Sequence, residues 1–329
     1  MIEKAVLFGK TKSLVGIIAE PTSRPEGDCL PAIIILNAGF VHRVGPNRLH
    51  VKIAREMATV GHLVLRFDFS GIGDSEISGD NIPFEERTLL EVQQAMDYLG
   101  ATRNIQDFIL VGICSGADIA FRTACCEPRV IGMIGINGYY LDRRVVQQMN
   151  PHIKNSTQKR YYSSRLLDYR SWWRLITGKS DFRSIVRFLV IRLKGLVARD
   201  ILAQPETDLP ERWDLMRQRS VDVLLIYSEG SMALDAFHLA LKEKLGKFAT
   251  SGKLKVEIIG HSDHVFTLLS SQEMLIGLLR QWVQGRNVNR PHAHIVQDDQ
   301  DSTKEHEISC GMTKHHDNAL PVHQDKESR

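Results

Sequence analysis

From residue 32 onward, short and strongly apolar runs alternate with longer segments whose apolar residues recur at helical spacing. The short runs predict buried strands, and the longer segments predict helices with one face on a core. The predicted strands are Ala32–Leu36, His62–Phe69, Phe108–Gly112, Val130–Ile136, Val221–Tyr227 and Leu254–Ile259. The predicted helices are Asn47–Val60, Glu85–Leu99, Ser115–Cys126, Ala233–Phe248 and Gln272–Val283. This alternation is typical of right-handed β-α-β crossovers, so we expect an α/β fold with a mostly parallel central sheet flanked by helices.

Two segments interrupt the alternation. Residues 139–200 contain fourteen Lys or Arg against four Asp or Glu, together with five of the seven tyrosines. We interpret residues 139–219 as an inserted, mainly helical cap, and residues 1–138 and 220–285 as the two parts of one core. Residues 286–329 have few apolar side chains and many histidines, which predicts a disordered tail.

Within the cap, residues 182–200 carry basic side chains on one helical stripe and apolar side chains on the opposite stripe. Contact of this helix with an anionic membrane surface is one interpretation of the pattern. Packing of the apolar stripe over the site, as a lid, explains the same pattern and is the interpretation that we favour.

The composition narrows the class of protein. The 329 residues are 43% hydrophobic and 25% charged, as in ordinary globular proteins. A formal net charge of +3 is too small to indicate nucleic-acid binding. No apolar stretch approaches the roughly 18 residues of a membrane-spanning helix, and the five cysteines lack metal-ligand spacing. We therefore expect no bound metal or cofactor. Five is also an odd number of cysteines, which does not indicate a disulfide framework, so we expect a cytoplasmic protein.

The strongest chemical signal is V-G-I-C-S-G-A, residues 111–117, between a predicted strand and a predicted helix. Gly112 and Gly116 flank Cys114 in a G-x-C-x-G pattern, which is typical of a nucleophile elbow. The N-terminus of the following helix lowers a thiol pKa and so favours the reactive thiolate. Ser115 as the nucleophile would put Ile113 at a glycine position and is less favoured. The alternative without chemistry is a buried structural cysteine in a glycine-rich turn.

A cysteine nucleophile needs a base, and two histidines follow the last predicted strand. His264, in S-D-H-V-F-T, is the candidate that we favour, and His261 lies three residues earlier.

The third member of a triad is less certain from the sequence. A carboxylate is expected after Val221–Tyr227, but Ser231 occupies that position. We take Asp235, in the first turn of the next predicted helix, as the candidate acid. Glu229 is a second carboxylate in this region, and Asn137 is an alternative partner that would orient the imidazole through its side-chain oxygen.

An oxyanion hole requires two main-chain N–H groups directed at the developing charge. Ser115, directly after the candidate nucleophile, supplies one of them. The second comes from the turn N-A-G-F-V-H-R after the first predicted strand, at Gly39 or Phe40.

Four strings, N-A-G-F-V-H-R-V-G-P-N-R, R-F-D-F-S-G-I-G-D-S, G-I-C-S-G-A and S-D-H-V-F-T, together resemble the α/β-hydrolase superfamily. The likeness is closest to hydrolase-like proteins associated with exosortase systems, and the cysteine elbow is similar to that of dienelactone hydrolases. It covers about residues 30–140 and 220–285. The resemblance implies a Cys–His–Asp triad with Cys114, His264 and no certain acid, and a hydrogen-bonding role for Asp68 in the turn after a strand.

These observations lead to three hypotheses. The first is a hydrolase that cleaves an acyl ester or thioester through a covalent acyl-enzyme on Cys114, with a small-molecule or carrier-bound acyl substrate. The second is an acyltransferase that uses the same acyl-enzyme. The third is a non-catalytic binding protein that retains the fold, which the serine at position 231 motivates.

Overall fold

A computed structural model describes residues 1–22, 30–140, 209–242 and 245–288 of the chain. The predicted tail from residue 289 onward and most of the predicted cap, residues 141–208, lie outside the described residues. The lid and membrane-contact interpretations of residues 182–200 therefore stay predictions.

Within the described residues, eight strands form one sheet with the order β1-β2-β4-β3-β5-β6-β7-β8. The strands are β1 Ile2–Phe8, β2 Leu14–Glu20, β3 Ala32–Leu36, β4 Val64–Phe67, β5 Phe108–Ile113, β6 Val130–Ile136, β7 Asp222–Ser228 and β8 Leu254–Ile259. The β1–β2 and β2–β4 pairs are antiparallel, and every other neighbouring pair is parallel. The mostly parallel sheet expected from the sequence is therefore confirmed, with an antiparallel hairpin added at one edge.

Helices cover both faces of this sheet. They are α1 Leu49–Thr59, α2 Phe84–Arg103, α3 Ser115–Cys126, α4 Leu209–Gln218, α5 Met232–Ala236, α6 Gly246–Ala249 and α7 Leu269–Val288. The helices α1 and α7 pack on one face, and α2, α3 and α4 pack on the other. Strand β3 shows the result, because Ile33 and Ile35 join one core cluster while Ile34 and Leu36 join the other. Burial on both faces explains why the central strands are continuous apolar runs.

The two described ends of the predicted 139–219 insertion pack into the core. Trp213 on α4 is 1% exposed, and its ring centroid lies 4.5 Å from that of Phe121 and 5.6 Å from that of Phe248. Tyr140 is also buried, with its ring 5.8 Å from Trp213. The helix predicted over 233–248 is interrupted, since a π-helical turn follows α5 and Gly246 begins α6 at a φ of 45°.

A fully buried carboxylate, Asp68, joins the loops that follow β3 and β4. Its Oδ1 accepts hydrogen bonds from Asn37 Nδ2 at 3.2 Å and from the Arg43 main-chain N–H. Its Oδ2 accepts from Arg43 Nη1 and from the Asp74 N–H at 3.2 Å. A Cβ at Gly73 would lie 2.2 Å from Oδ2, so the turn requires glycine there. The hydrogen-bonding role expected for Asp68 is confirmed.

We expect Asp68→Asn to lower the free energy of unfolding by about 3 kcal/mol, because it removes the buried counter-charge of Arg43 and introduces an NH₂ group among donors. Urea unfolding followed by fluorescence measures the change. Asp74→Asn is the matched control: Asp74 accepts from Arg43 Nη2 at 2.6 Å but is 67% exposed. The free energy of unfolding of Asp74→Asn should fall by less than about 1 kcal/mol. Equal losses in the two variants would contradict a dominant role for Asp68.

His50 on α1 is buried, and neither of its ring nitrogens has a hydrogen-bond partner among the described residues. Its ring lies under Gly45, where a Cβ would come within 2.4 Å of His50 Cγ. Burial, with smaller contributions from the charges of Arg66 and His42, lowers the pKa of His50 to about 3. The imidazole is therefore neutral in the folded protein at neutral pH.

The depressed pKa predicts a loss of stability in mild acid. The unfolded chain takes up a proton at His50 near pH 6.5 and the folded chain only near pH 3, so protons favour unfolding throughout that window. Between pH 7 and pH 5 the wild type should lose about 2 kcal/mol more than His50→Leu. Urea unfolding of both proteins across this range measures the difference. Stability curves that run parallel would contradict the assignment.

Candidate active site

The residues singled out in the sequence meet at one edge of the sheet. Strands β3, β5, β7 and β8 are parallel and end at this edge. Cys114 follows β5, the Gly39 turn follows β3, Ser231 follows β7 and His264 follows β8. Ligands of parallel α/β sheets bind at the carboxyl ends of the strands, so this edge is the candidate site.

Cys114 has the backbone conformation of a sharp strand-to-helix turn, with φ 55° and ψ −121°. A Cβ at Gly112 would lie 2.1 Å from the Gly116 carbonyl carbon, and one at Gly116 would lie 2.6 Å from the Asn37 oxygen. Both glycines are therefore required by close backbone approach. The Cys114 N–H donates to the Ile136 oxygen at 2.8 Å, which holds the strained residue to the neighbouring strand. The predicted elbow geometry is present at Cys114.

The hydroxyl of Ser115 has a structural partner. Its Oγ accepts a hydrogen bond from the Gly39 N–H at 2.8 Å, which joins the loop after β3 to the start of α3. The N–H group of Gly39, one of the two alternatives predicted for the second oxyanion donor, therefore already donates to a side chain. The N–H groups of Phe40 and Ser115 donate to no described residue, so these two amides remain open at the site.

The loop that carries His264 is fixed by its main chain. Asn137, fully buried, donates from Nδ2 to the His264 carbonyl at 2.9 Å and to Ser228 Oγ at 3.0 Å. Its Oδ1 accepts from the Ser228 N–H at 2.8 Å. The alternative in which Asn137 orients the imidazole is wrong, since this amide binds the backbone of the loop. Glu229 likewise accepts from the His261 N–H at 2.8 Å.

The imidazole of His264 is paired with a hydroxyl. Ser231 Oγ lies 2.9 Å from His264 Nδ1 and also accepts from the Ala233 N–H at 3.2 Å, as the N-cap of α5. The group on Nδ1 is thus Ser231, the N-cap residue of α5, whereas Asp235, the acid predicted from the sequence, lies inside α5. Burial lowers the pKa of His264, against a smaller opposite effect of the Asp263 charge.

Tyr139 is a further residue at the site that the sequence analysis assigned only to the cap. Its phenol is partly buried, and its pKa is raised to about 12 by burial and by the negative charges of Cys114, Asp118 and Asp235. Its N–H donates to Asp118 Oδ1 at 3.1 Å, which anchors it to the first turn of α3. Tyr139 therefore lies within electrostatic reach of both Cys114 and Asp235. Tyr139 comes two residues after Asn137, just beyond the end of a predicted strand, and this position could have indicated from the sequence that it lies at the site.

The described residues also bear on metal binding and on membrane crossing. No group of three or more His, Cys, Asp or Glu side chains in this part of the chain has an arrangement that would hold a metal ion. None of the described helices combines the length and apolar character needed to cross a membrane.

Comparison with known proteins identifies the architecture. No protein-family model matches the chain, and no curated protein matches its sequence. The esterase Est1E from Butyrivibrio proteoclasticus superposes with a TM-score of 0.55 at 14% identity, over 86% of this chain and 99% of the esterase. An esterase from Pyrococcus furiosus gives 0.55 at 13% identity, over 86% and 91% of the two chains. An alpha-beta serine hydrolase homologue from Coxiella burnetii gives 0.50 at 12% identity, over 85% and 96%.

The likeness at such low identity concerns the fold. The finer resemblance to exosortase-associated proteins and to the cysteine elbow of dienelactone hydrolases stays a prediction. The strand order, the helices on both faces and the structural neighbours agree: the chain has the α/β-hydrolase fold.

Proposed function

We propose that the protein is an enzyme of the hydrolase class that cleaves acyl esters or thioesters through a covalent acyl group on Cys114. The single observation that carries the proposal is the backbone of Cys114, which has φ 55° at the start of α3 between two sterically required glycines. Such strain persists in folded proteins where the surrounding structure enforces it, and it is concentrated at functional sites. A structural cysteine in a core needs no such conformation.

The position of Cys114 supports a reactive thiolate. The side chain is partly exposed, whereas Cys125, on the helix α3 that follows, is buried. The first amides of α3 and the positive end of its dipole lie at the turn, and both favour a negative charge there. The thiolate attacks the substrate carbonyl carbon, a C–S bond forms, and the carbonyl electron pair moves to the oxygen.

The oxyanion that forms needs two donors, and the open N–H groups of Phe40 and Ser115 fit that role. The Ser115 hydroxyl supports this arrangement, since it binds the Gly39 N–H and so fixes the loop next to Phe40. Collapse of the intermediate breaks the bond to the leaving alkoxide or thiolate, and leaves an acyl thioester on Cys114.

His264 is the proposed proton carrier. Its imidazole is largely buried and its pKa is lowered, so the neutral form predominates at neutral pH. In hydrolysis it takes a proton from the attacking water, the C–S bond breaks, and Cys114 leaves as the thiolate. The imidazolium then releases this proton, which balances the proton taken up by the alkoxide or thiolate expelled in the first half-reaction. This cycle uses only groups of the chain, and it is the reason for expecting no cofactor.

Apolar side chains at the rim support an apolar acyl group. Phe40 is 72% exposed in the loop after β3, and Val265 and Leu268, in the histidine loop, are 37% and 58% exposed. Asn47 Nδ2 donates to the Val265 oxygen at 3.2 Å and holds the two loops together. A small-molecule or carrier-bound acyl donor and a cytoplasmic location remain our expectations. An acyltransferase would use the same acyl-enzyme, and a binding protein would form none.

Intact-mass spectrometry with p-nitrophenyl esters and acyl thioesters of increasing chain length tests the proposal. We expect the wild type to gain one acyl group on Cys114, and Cys114→Ala to gain none, because only this thiol lies at the elbow. Ser115→Ala is the matched control: it retains Cys114 and the amide at 115 and should still be acylated at Cys114.

Three outcomes would contradict the proposal. Equal acylation of wild type and Cys114→Ala would place the nucleophile elsewhere, and loss of the adduct in Ser115→Ala with retention in Cys114→Ala would assign it to Ser115. Absence of any adduct across the panel would favour the binding protein.

A further inference from the structure

We propose that Ser231 is a positioning residue that slows the attack of water on the acyl group of Cys114, so that a thiol acceptor removes this group faster than water does. The inference rests on the proposed function and concerns the second half of its cycle. It starts from the pairing of His264 Nδ1 with Ser231 Oγ at 2.9 Å.

The pairing has the placement of a triad but different hydrogen-bond chemistry. A carboxylate only accepts, so it enforces a proton on Nδ1 and leaves a lone pair on Nε2 for use as a base. A hydroxyl can also donate. Ser231 Oγ already accepts from the Ala233 N–H, and its own proton is available to Nδ1. In that tautomer the ring proton is on Nε2, which is then a donor rather than a base.

The other described groups near His264 do not replace the negative charge that a carboxylate on Nδ1 would provide. Ser231 is 3% exposed, so a second polar group from solvent has little access to this side of the ring. Burial lowers the pKa of His264, and the Asp263 carboxylate that opposes this effect also accepts hydrogen bonds from the Thr267 N–H and Oγ1. An imidazolium, which forms whenever the ring takes a proton from water, is therefore poorly stabilised.

The two half-reactions depend on the imidazole to different degrees. Acylation requires the Cys114 thiolate, which the start of α3 favours, and an Nε2–H tautomer can donate a hydrogen bond to it. Hydrolysis requires a base, because water is almost entirely protonated at neutral pH. The neutral partner at position 231 thus slows the water step much more than the acylation step.

A thiol is the acceptor class that this site favours. Its conjugate base exists near neutral pH, with a thiol pKa of about 8.5, so attack needs no base from the protein. The acceptor sulfur supplies the electron pair of the new C–S bond, the bond to Cys114 Sγ breaks, and Cys114 leaves as the thiolate. One thioester replaces another without a net proton change.

Stopped-flow kinetics of the full-length wild type with p-nitrophenyl acetate provides the first test. We expect a burst of about one p-nitrophenolate per chain, followed by a steady state about 100-fold slower. Intact mass should show acetyl on Cys114 that persists in buffer and is removed by 2-mercaptoethanol. Acetylated protein denatured in guanidinium gives the rate of uncatalysed exchange, which should be about tenfold slower or more.

Ser231→Asp provides the second test, because Asp is as good an N-cap as Ser and should preserve α5. A carboxylate on Nδ1 enforces the basic tautomer and raises the pKa of His264. We expect hydrolysis of acetyl-Cys114 to become 10- to 100-fold faster and its pH midpoint to rise, while the burst rate does not rise. Ser231→Ala, which supplies no carboxylate, should retain the burst and should show neither the acceleration of hydrolysis nor the rise of the midpoint expected for Ser231→Asp.

The outcomes separate the inference from the proposed function. A burst followed by rapid hydrolysis in the wild type, or unchanged hydrolysis and midpoint in a folded Ser231→Asp, would overturn the inference and leave the acyl-enzyme standing. Absence of a burst and of an adduct in the wild type would overturn both. Removal of the acetyl by ethanolamine but not by 2-mercaptoethanol would overturn the choice of a thiol as acceptor.

Discussion

The close contact between the start of α3 and the end of β3 is the constraint on which the site depends. Gly116 approaches the Asn37 carbonyl so closely that a Cβ would lie 2.6 Å from its oxygen. The contact brings the Cys114 turn against the loop after β3, close enough for Ser115 Oγ to accept from the Gly39 N–H. Asn37 then extends the unit through its side chain to Asp68. The Cys114 turn, the loop after β3 and the buried carboxylate of Asp68 are therefore joined in one assembly, and a substituent at position 116 would displace all three.

Two buried asparagines hold the two sides of the site by the same means. Asn37 follows β3, and its amide donates to the Val41 carbonyl and to Asp68, which secures the oxyanion loop. Asn137 follows β6, and its amide donates to the His264 carbonyl and to Ser228 Oγ. Each side chain satisfies main-chain groups that leave the sheet and would otherwise be buried without partners. Neither amide acts on a reacting group, yet together they set the distance between the two halves of the site.

The sequence predicted the parts of the fold that local pattern determines. Five of the six predicted strands, β3 to β7, appear as apolar runs because both of their faces are buried, and the elbow appears because two glycines are sterically required. The hairpin of β1 and β2 was missed, and its exposed edge strand β1 carries charges such as Glu3 and Lys4. The helix of Trp213 falls within the insertion that was interpreted as mainly helical, but the sequence analysis placed it in a cap and did not predict that it packs into the core. Ser231 occupies the position at which the acid was expected. One sequence does not show that a hydroxyl can pair with the ring nitrogen of His264, and Asp235 was therefore predicted instead.

A neutral residue at position 231 is consistent with a cysteine nucleophile on electrostatic grounds. The site already contains Asp118 and Asp235, whose charges together with that of Cys114 raise the pKa of Tyr139. A further carboxylate near the thiol would raise the free energy of the thiolate, because like charges at short range in a partly buried site repel strongly. An alcohol nucleophile depends on a strong base and therefore on a charged third member. In the proposed mechanism a thiol at a helix N-terminus ionises without a strong base, so a weak base at His264 is compatible with attack by Cys114.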